Sequence, residues 1–450
     1  MTEPVNSSKD IKRDPKQVTR RRFIAGLAGT GVVAAGTIAA VSKTGDKDKL
    51  SLNNKKLFTN PADPEVIADS NVNTGTTLLA NDKRVGEGLA TPGAVADRIL
   101  VVVELSGGND GPSTVIPYGD GKYYDLRPNL SISKKDVVPI DDYIGLNPEL
   151  INLSKRQFAV VEGIGNTSNN LSHFVNRRIW HRAGQSSSSS GYLASLADCL
   201  ASNKSKEALI ALSVAGYAPQ LNGISANSLI LSNFNNLGYL SKDKVLEGVY
   251  RDSVQQFEGG ALTNLLSKNW LELFSVGGKL PGIPKIAEKD PMIIEGKTLG
   301  RQLWVAADFI KSDVGIQVIH AKLGGFDTHV NHKSKHRRLM KEVNFAIDGF
   351  LQKIADAGMQ DRVLVALTSE FGRRGQENGQ GFDHGNGSTL MVFGPVVPGR
   401  HGVTNTFSNL DKSGNFKTQI PYDSYLKTLS SEWLGCEEIL SDSEAIPGLI

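Results

Sequence analysis

The sequence predicts a single α/β domain, with a mostly parallel central sheet sandwiched by helices and broken by irregular insertions. Three observations carry that expectation. Nearly continuous apolar, β-branched runs recur along the chain, the clearest at 98–105, and such runs mark strands buried on both faces of a parallel sheet. Between them lie segments with apolar residues at helical spacing, notably 299–311 and 334–356. Strands and helices alternate, so a covered sheet results, with ligands expected at the C-terminal ends of its strands.

Taken in order, the chain opens with a polar, basic arm and then Thr19-Arg20-Arg21-Arg22-Phe23-Ile24, followed by a Gly- and Ala-rich apolar stretch to residue 41. A twin-arginine pair before a weakly hydrophobic segment reads as a Tat export signal over 1–42. Its glycines and threonines disfavour a stable spanning helix, yet no clean A-x-A cleavage site follows, so a retained anchor stays open. The expected location is periplasmic, extracellular or cell-surface. The Tat translocase is the expected partner during export, and contact with membrane is confined to this segment. Residues 43–96, rich in Asn, Asp, Lys and Thr, read as a solvated, disordered tether.

The folded domain is expected over 97–450. After the 98–105 run, further strands are expected at 158–163, 208–214, 315–323, 362–368 and 390–393. The helix at 334–356 ends at Ala357-Gly358, where glycine supplies a left-handed terminus. The serine run at 185–190 reads as a loop, and 281–291 as irregular. A net charge of +3, from 50 basic and 47 acidic residues, leaves no concentrated stripe for nucleic acid. Cys199 and Cys436 read as buried structural thiols, with a single disulfide as the alternative.

Three clusters near strand ends point to chemistry: Asp327-Thr328-His329, Ser369-Glu370-Phe371-Gly372 and Asp383-His384-Gly385. In an extended segment, residues two apart face one side, so Asp327 and His329 can reach one ion. Glu370 offers a carboxylate at a strand tip. Arg373 behind it could hold an oxyanion in bidentate fashion or simply pair with Glu370. His384, flanked by glycines, is poorly placed for a core histidine and reads as a ligand. The first strand ends in Ser106-Gly107-Gly108-Asn109-Asp110-Gly111, where Asn109 and Asp110 offer oxygen ligands or else turn chemistry. Ser172 precedes a helical stretch and is a candidate nucleophile or a plain N-cap. His173 is a candidate ligand or general acid. His332 and His336 read as exposed residues at a helix start, and His181 and His320 as structural.

These segments, together with Ser172-His173-Phe174 and in this order, resemble a large bacterial family of Tat-exported proteins of unknown function (domain of unknown function 1501). That family is similar in fold to the alkaline phosphatase and sulfatase superfamily, and the resemblance spans 98–450. It implies an alkaline-phosphatase-like domain with Asp327, His329 and His384 on one divalent metal, and Glu370 with Asp110 on a second. Zn, Mg, Mn or Ca would each tolerate such a mixed donor set. With the convergence of these residues, the resemblance points to a metal-dependent hydrolase of phosphate or sulfate esters, on a small molecule or a polymer; Ser172, His173 and Arg373, read from their own positions, are the candidate catalytic groups. The chain departs from the superfamily in two places. No Asp-Ser-Ala or Cys/Ser-x-Pro-x-Arg motif surrounds Ser172, and Phe371 stands where an Asp-His pair is usual. The alternative is therefore a non-catalytic secreted or surface protein that keeps a structural metal site. An oxidoreductase reading lacks a strand-borne G-x-G-x-x-G and enough cysteines for a cluster.

Overall fold

Strands form where the apolar runs lie. In chain order they are β1 (Thr77–Leu78), β2 (Ile99–Ser106), β3 (Val115–Ile116), β4 (Val138–Pro139), β5 (Gly145–Leu146), β6 (Phe158–Gly165), β7 (Ala211–Ser213), β8 (Ser228–Ile230), β9 (Val318–Gly324), β10 (Val363–Thr368), β11 (Ser388–Phe393), β12 (Gly399–Gly402) and β13 (Ile420–Pro421). The structure, a computed structural model, describes residues 77–78, 92–168, 170–183, 190–202, 204, 208–231, 286–402, 407–408 and 410–450. The export signal and anchor expected at 1–42 lie outside the described residues. So do most of the tether, nearly all of the serine loop and the first part of the irregular 281–291 segment.

Ten strands share one sheet in the order β1-β12-β6-β11-β10-β2-β9-β7-β8, with β13 beside β6. From β10 through β8 every pairing is parallel. β11 runs antiparallel to both β10 and β6, and β1 antiparallel to β12. The predicted α/β class, with a mixed but mostly parallel sheet, is therefore the observed one. A small second sheet joins β3, β5 and β4.

Why β2 sits at the centre follows from its sequence: all eight of its residues are buried. Val101, Val103 and Leu105 point into one core and Leu100 and Val102 into the other, the period-two alternation of a strand covered on both faces. The helices that cover it are α1 (His173–His181), α2 (Tyr192–Ala201), α3 (Lys297–Lys311), α4 (His332–Asp356) and α5 (Tyr422–Lys427). Leu303 of α3 and Phe350 of α4 belong to the first core, Leu196 of α2 and Tyr425 of α5 to the second. Burying one such side chain contributes roughly 1.5–3 kcal/mol, so the apolar runs alone fix which strands lie inside. α4 ends as expected, with Gly358 at φ +68°.

Two expectations need correction. Cys199 and Cys436 are not free thiols but a disulfide that ties α2 to the C-terminal segment across a sequence separation of 237. Two pieces of the expected tether also touch the domain. Thr77–Leu78 pairs with β12, and the Gly93 N–H donates to Asp361 O at 2.8 Å. No described helix is long and apolar enough to cross a membrane.

Candidate metal centre

Parallel neighbours end at the same edge, so the loops after β2, β9 and β10 emerge side by side. Glycine lets them touch. Gly107, at φ +123°, would place a Cβ 2.4 Å from the Asp327 backbone nitrogen, an approach open only to a residue without a side chain. The Gly107 N–H donates to both oxygens of Glu370, at 2.9 Å each. The 383–385 segment lies antiparallel against 372–374, with Arg374 N–H donating to Asp383 O and Gly385 N–H to Gly372 O. The start of α1 brings His173 to the same edge.

Three imidazoles then converge on Asp327, and the partner on each Nδ1 sets its tautomer. His173 Nδ1 is 3.0 Å from Glu370 Oε1, His329 Nδ1 is 3.2 Å from Asp383 Oδ1, and His384 Nδ1 is 2.8 Å from the Leu171 carbonyl. Carboxylates and carbonyls only accept, so in each neutral ring Nδ1 carries the proton and Nε2 presents its lone pair. All three Nε2 atoms face Asp327: His329 at 3.1 Å, His384 at 3.4 Å and His173 at 3.4 Å. The Nε2 atoms of His329 and His384 are 2.9 Å apart. The buried His173 Nε2 makes no hydrogen bond.

Inward lone pairs around one carboxylate, none of them facing a donor in these tautomers among the described residues, fit a divalent cation. An outer carboxylate or carbonyl that holds the far ring nitrogen is the usual support of a metal-ligating histidine. Ligand atoms of His173, Asp327 and His384 all lie within 4.8 Å of one another. Burial pushes the Asp327 carboxyl up, but hydrogen bonding to Arg373 and its charge, with His173 and His329, bring it down to about 2. Burial lowers His384 below the usual imidazole range, with Arg373 and the other two rings adding to it. Both groups are thereby held in the forms that bind metal.

Several expected residues have other tasks. Arg373 is fully buried. Its Nε donates to Gly108 O, Nη1 to Phe382 O, and Nη2 to the carbonyls of Gly107 and Phe326 and to Asp327 Oδ1. It clamps three loops around Asp327, and so is not free to grip a substrate oxyanion. Glu370 is buried behind His173, with both oxygens engaged by Gly107 and one by His173. It holds the His173 ring, and no contact joins it to Asp110 among the described residues.

Asp110 is elsewhere altogether. Its carboxylate makes a fully buried two-pronged pair with Arg127, Oδ2 to Nη1 at 2.7 Å and Oδ1 to Nη2 at 3.0 Å. Burial would raise it, but the Arg127 charge and hydrogen bonds hold it at about 2. His332 and His336, expected on the surface, are 2% and 3% exposed and stack beside this pair at 4.8 Å. Thr328 and Ser113 partner His332, and Asn109 partners His336 at 3.2 Å. Asn109 and Asp110 thus build a buried polar network, in which Asp110 is engaged by Arg127 and Glu370 by Gly107 and His173. His181 and His320 flank the buried Glu104, at 3.5 and 3.4 Å.

Ser172 is the N-cap residue of α1, but its hydroxyl makes no capping hydrogen bond. Arg177, one turn after His173 on the same helix, escaped sequence reading. Its Nε lies 3.6 Å from Glu370 Oε1, and the i,i+4 spacing from His173 was the available signal.

A family model described as "Protein of unknown function (DUF1501)" matches residues 159–413. Among solved structures, the chain is similar to the lipoteichoic acid synthase LtaP from Listeria monocytogenes, at 9% identity and TM-score 0.30 over 83% of this chain and 78% of that one. It is similar to the PsFucS1 sulfatase from Pseudoalteromonas sp. at 12% identity and TM-score 0.35, over 78% and 71%. The alkaline phosphatase from the Antarctic bacterium TAB5 gives 10% and 0.31, over 76% and 98%. No curated protein matches the sequence. At such values it is the side chains, and not these likenesses, that carry function.

Proposed function

We propose that this chain, which belongs to the DUF1501 family of proteins of unknown function, is an exported metal-dependent hydrolase of phosphate or sulfate esters. One observation carries the reading: three Nε2 lone pairs, each fixed by a partner on Nδ1, face the Asp327 carboxylate. His173, His329, His384 and Asp327 would hold the ion. Export is supported by Arg21-Arg22 ahead of a weakly apolar stretch and by the Cys199–Cys436 disulfide, a bond that persists in oxidising compartments.

A bound divalent ion would polarise the ester oxygen or lower the pKa of a nucleophile. The chain's own residues supply the rest. Asp327 is half exposed, with side-chain exposure 49%, so the centre opens to solvent at the sheet edge. Ser172 stands beside His173 with an uncommitted hydroxyl and is the candidate nucleophile, with water as the other. With Arg373 enclosed, Arg177, paired through Nε with Glu370 at 3.6 Å, is a candidate cation to meet an anionic substrate.

Four protein ligands would fill a tetrahedral ion, as in structural zinc sites, whereas a six-coordinate ion keeps positions open. This ligand count favours the second reading, a non-catalytic surface protein with a structural metal. Purified full-length protein, assayed for bound metal and for aryl phosphate and aryl sulfate hydrolysis, separates the two. Turnover that is lost with the metal in Asp327→Ala supports the hydrolase. Stoichiometric metal with no turnover, and a large fall in Tm on chelation, supports the structural role. Native protein without metal removes both. In a turning-over enzyme, Ser172→Ala that keeps metal but loses activity assigns the nucleophile to Ser172; retained activity assigns it to water.

A further inference from the structure

Resting on the metal-centre reading, we propose that a cleft beside it binds a second anionic group of the substrate, so that the chain acts on esters carrying two or more separate anionic groups. The cleft is about 310 Å³, and its lining includes Phe174, Arg177, Arg178, His181, Arg182 and Asn222. It abuts the metal centre through one shared group: Glu370 Oε1 is 3.0 Å from His173 Nδ1 and 3.6 Å from Arg177 Nε. Phe174, next to His173 in the chain, lines the cleft, so the two sites are neighbours along α1.

The chemistry of the cleft is one-sided. Three guanidiniums line it and no carboxylate does. Neither Arg178 nor Arg182 forms an ion pair with an acid among the described residues, whereas Arg177 pairs through Nε with the buried Glu370 at 3.6 Å. His181 is 6% exposed and its Nε2 makes no hydrogen bond, lying 3.5 Å from Glu104 Oε2. Basic residues late in α1 also complement its dipole, but that effect requires no cleft. Guanidinium forks match the oxygens of phosphate, sulfate or carboxylate, and cations gathered in a concave wall focus the field on an incoming anion. Phe174, 84% exposed, adds an apolar edge.

The test is calorimetric titration of the metal-loaded full chain with glucose 1,6-bisphosphate and glucose 6-phosphate at matched ionic strength, repeated with a disulfated and a monosulfated disaccharide. The probe of the preferred pair with two anionic groups should bind about tenfold tighter or more, the range of one charge-assisted hydrogen-bonded contact; which pair shows the preference separates phosphate from sulfate. The surface double variant Arg178→Ala/Arg182→Ala should bring that preference to within about twofold while metal content stays unchanged. Equal affinity for probes with one and two anionic groups in the native protein, or a preference that survives the double variant, overturns the inference. Arginine-dependent binding in a protein without metal would refute the metal centre and leave the anion cleft supported. Bound metal without arginine dependence would do the reverse.

Discussion

Glu370→Gln tests the arrangement at its most specific point. The carboxylate is 2% exposed and accepts from two donors, the Gly107 N–H at 2.9 Å and His173 Nδ1 at 3.0 Å. Glutamine has the same shape but one accepting end. If that end serves Gly107, the amide NH₂ faces His173 Nδ1 and donates to it, which moves the ring proton to Nε2 and turns a lone pair away from Asp327. If it takes the Oε1 place it accepts from both His173 and Gly107, and the NH₂ is left 2.9 Å from the Gly107 nitrogen, donor against donor. The first outcome removes a ligand; the second leaves a buried donor unpaired, costing about 1–3 kcal/mol of stability. Loss of such an orienting partner lowers metal affinity by about 10–100-fold, or roughly 1.4–2.7 kcal/mol. Competition against a chelator of known affinity measures the first quantity, and urea unfolding of chelator-treated protein measures the second. A Gln variant that binds metal within about twofold of the native protein, at unchanged stability, would refute the reasoning.

Other consequences follow from the buried network and the disulfide. Arg127→Met leaves Asp110 charged and alone, so it should destabilise the domain by about 3–5 kcal/mol in urea while metal stoichiometry is retained. Burial holds His336 down to about 4, so between its ordinary 6.5 and that value the unfolded chain binds a proton that the folded one refuses. Stability is therefore full above pH 6.5 and falls by about 3 kcal/mol as pH drops towards 4; the metal-free His336→Gln variant should show a flatter urea midpoint over this range. His332, pushed down by its own burial and by His336, acts in the same direction. Opening the Cys199–Cys436 bond by a double Cys→Ser change frees a loop of sequence separation 237 and should cost up to about 5 kcal/mol. An unchanged Tm in the double variant would show that the bond constrains nothing in the unfolded chain.

Strand and helix positions were legible because burial on two faces leaves a mark in composition. β2 is eight buried residues in a row, and α4 carries its apolar face in plain helical spacing. Asp327, His329 and His384 stood out for a similar reason, as carboxylate and imidazoles on glycine-flanked loops at strand ends. What the sequence hid were choices among partners. Asp110 could ligate metal or pair with a base, and the base is Arg127, 17 residues on and buried with it. Arg373 could meet an oxyanion, but its loop faces the carbonyls of Gly107, Phe326 and Phe382. Glu370 and His173 differ in role only because one stands behind the other. His332 and His336 open α4 in sequence, where exposure is the default, yet that end of the helix packs on Asp110 and Asn109. None of these is a matter of periodicity, so none leaves a periodic signal.

The account stands on one ion held by three imidazoles and one carboxylate. Anomalous scattering from crystals of the metal-loaded protein would test it directly. The expected map has a single strong peak about 2.0–2.2 Å from the Nε2 atoms of His173, His329 and His384 and from an Asp327 oxygen. A map without that peak, or with its strongest peak between Asp110 and Glu370, would contradict it.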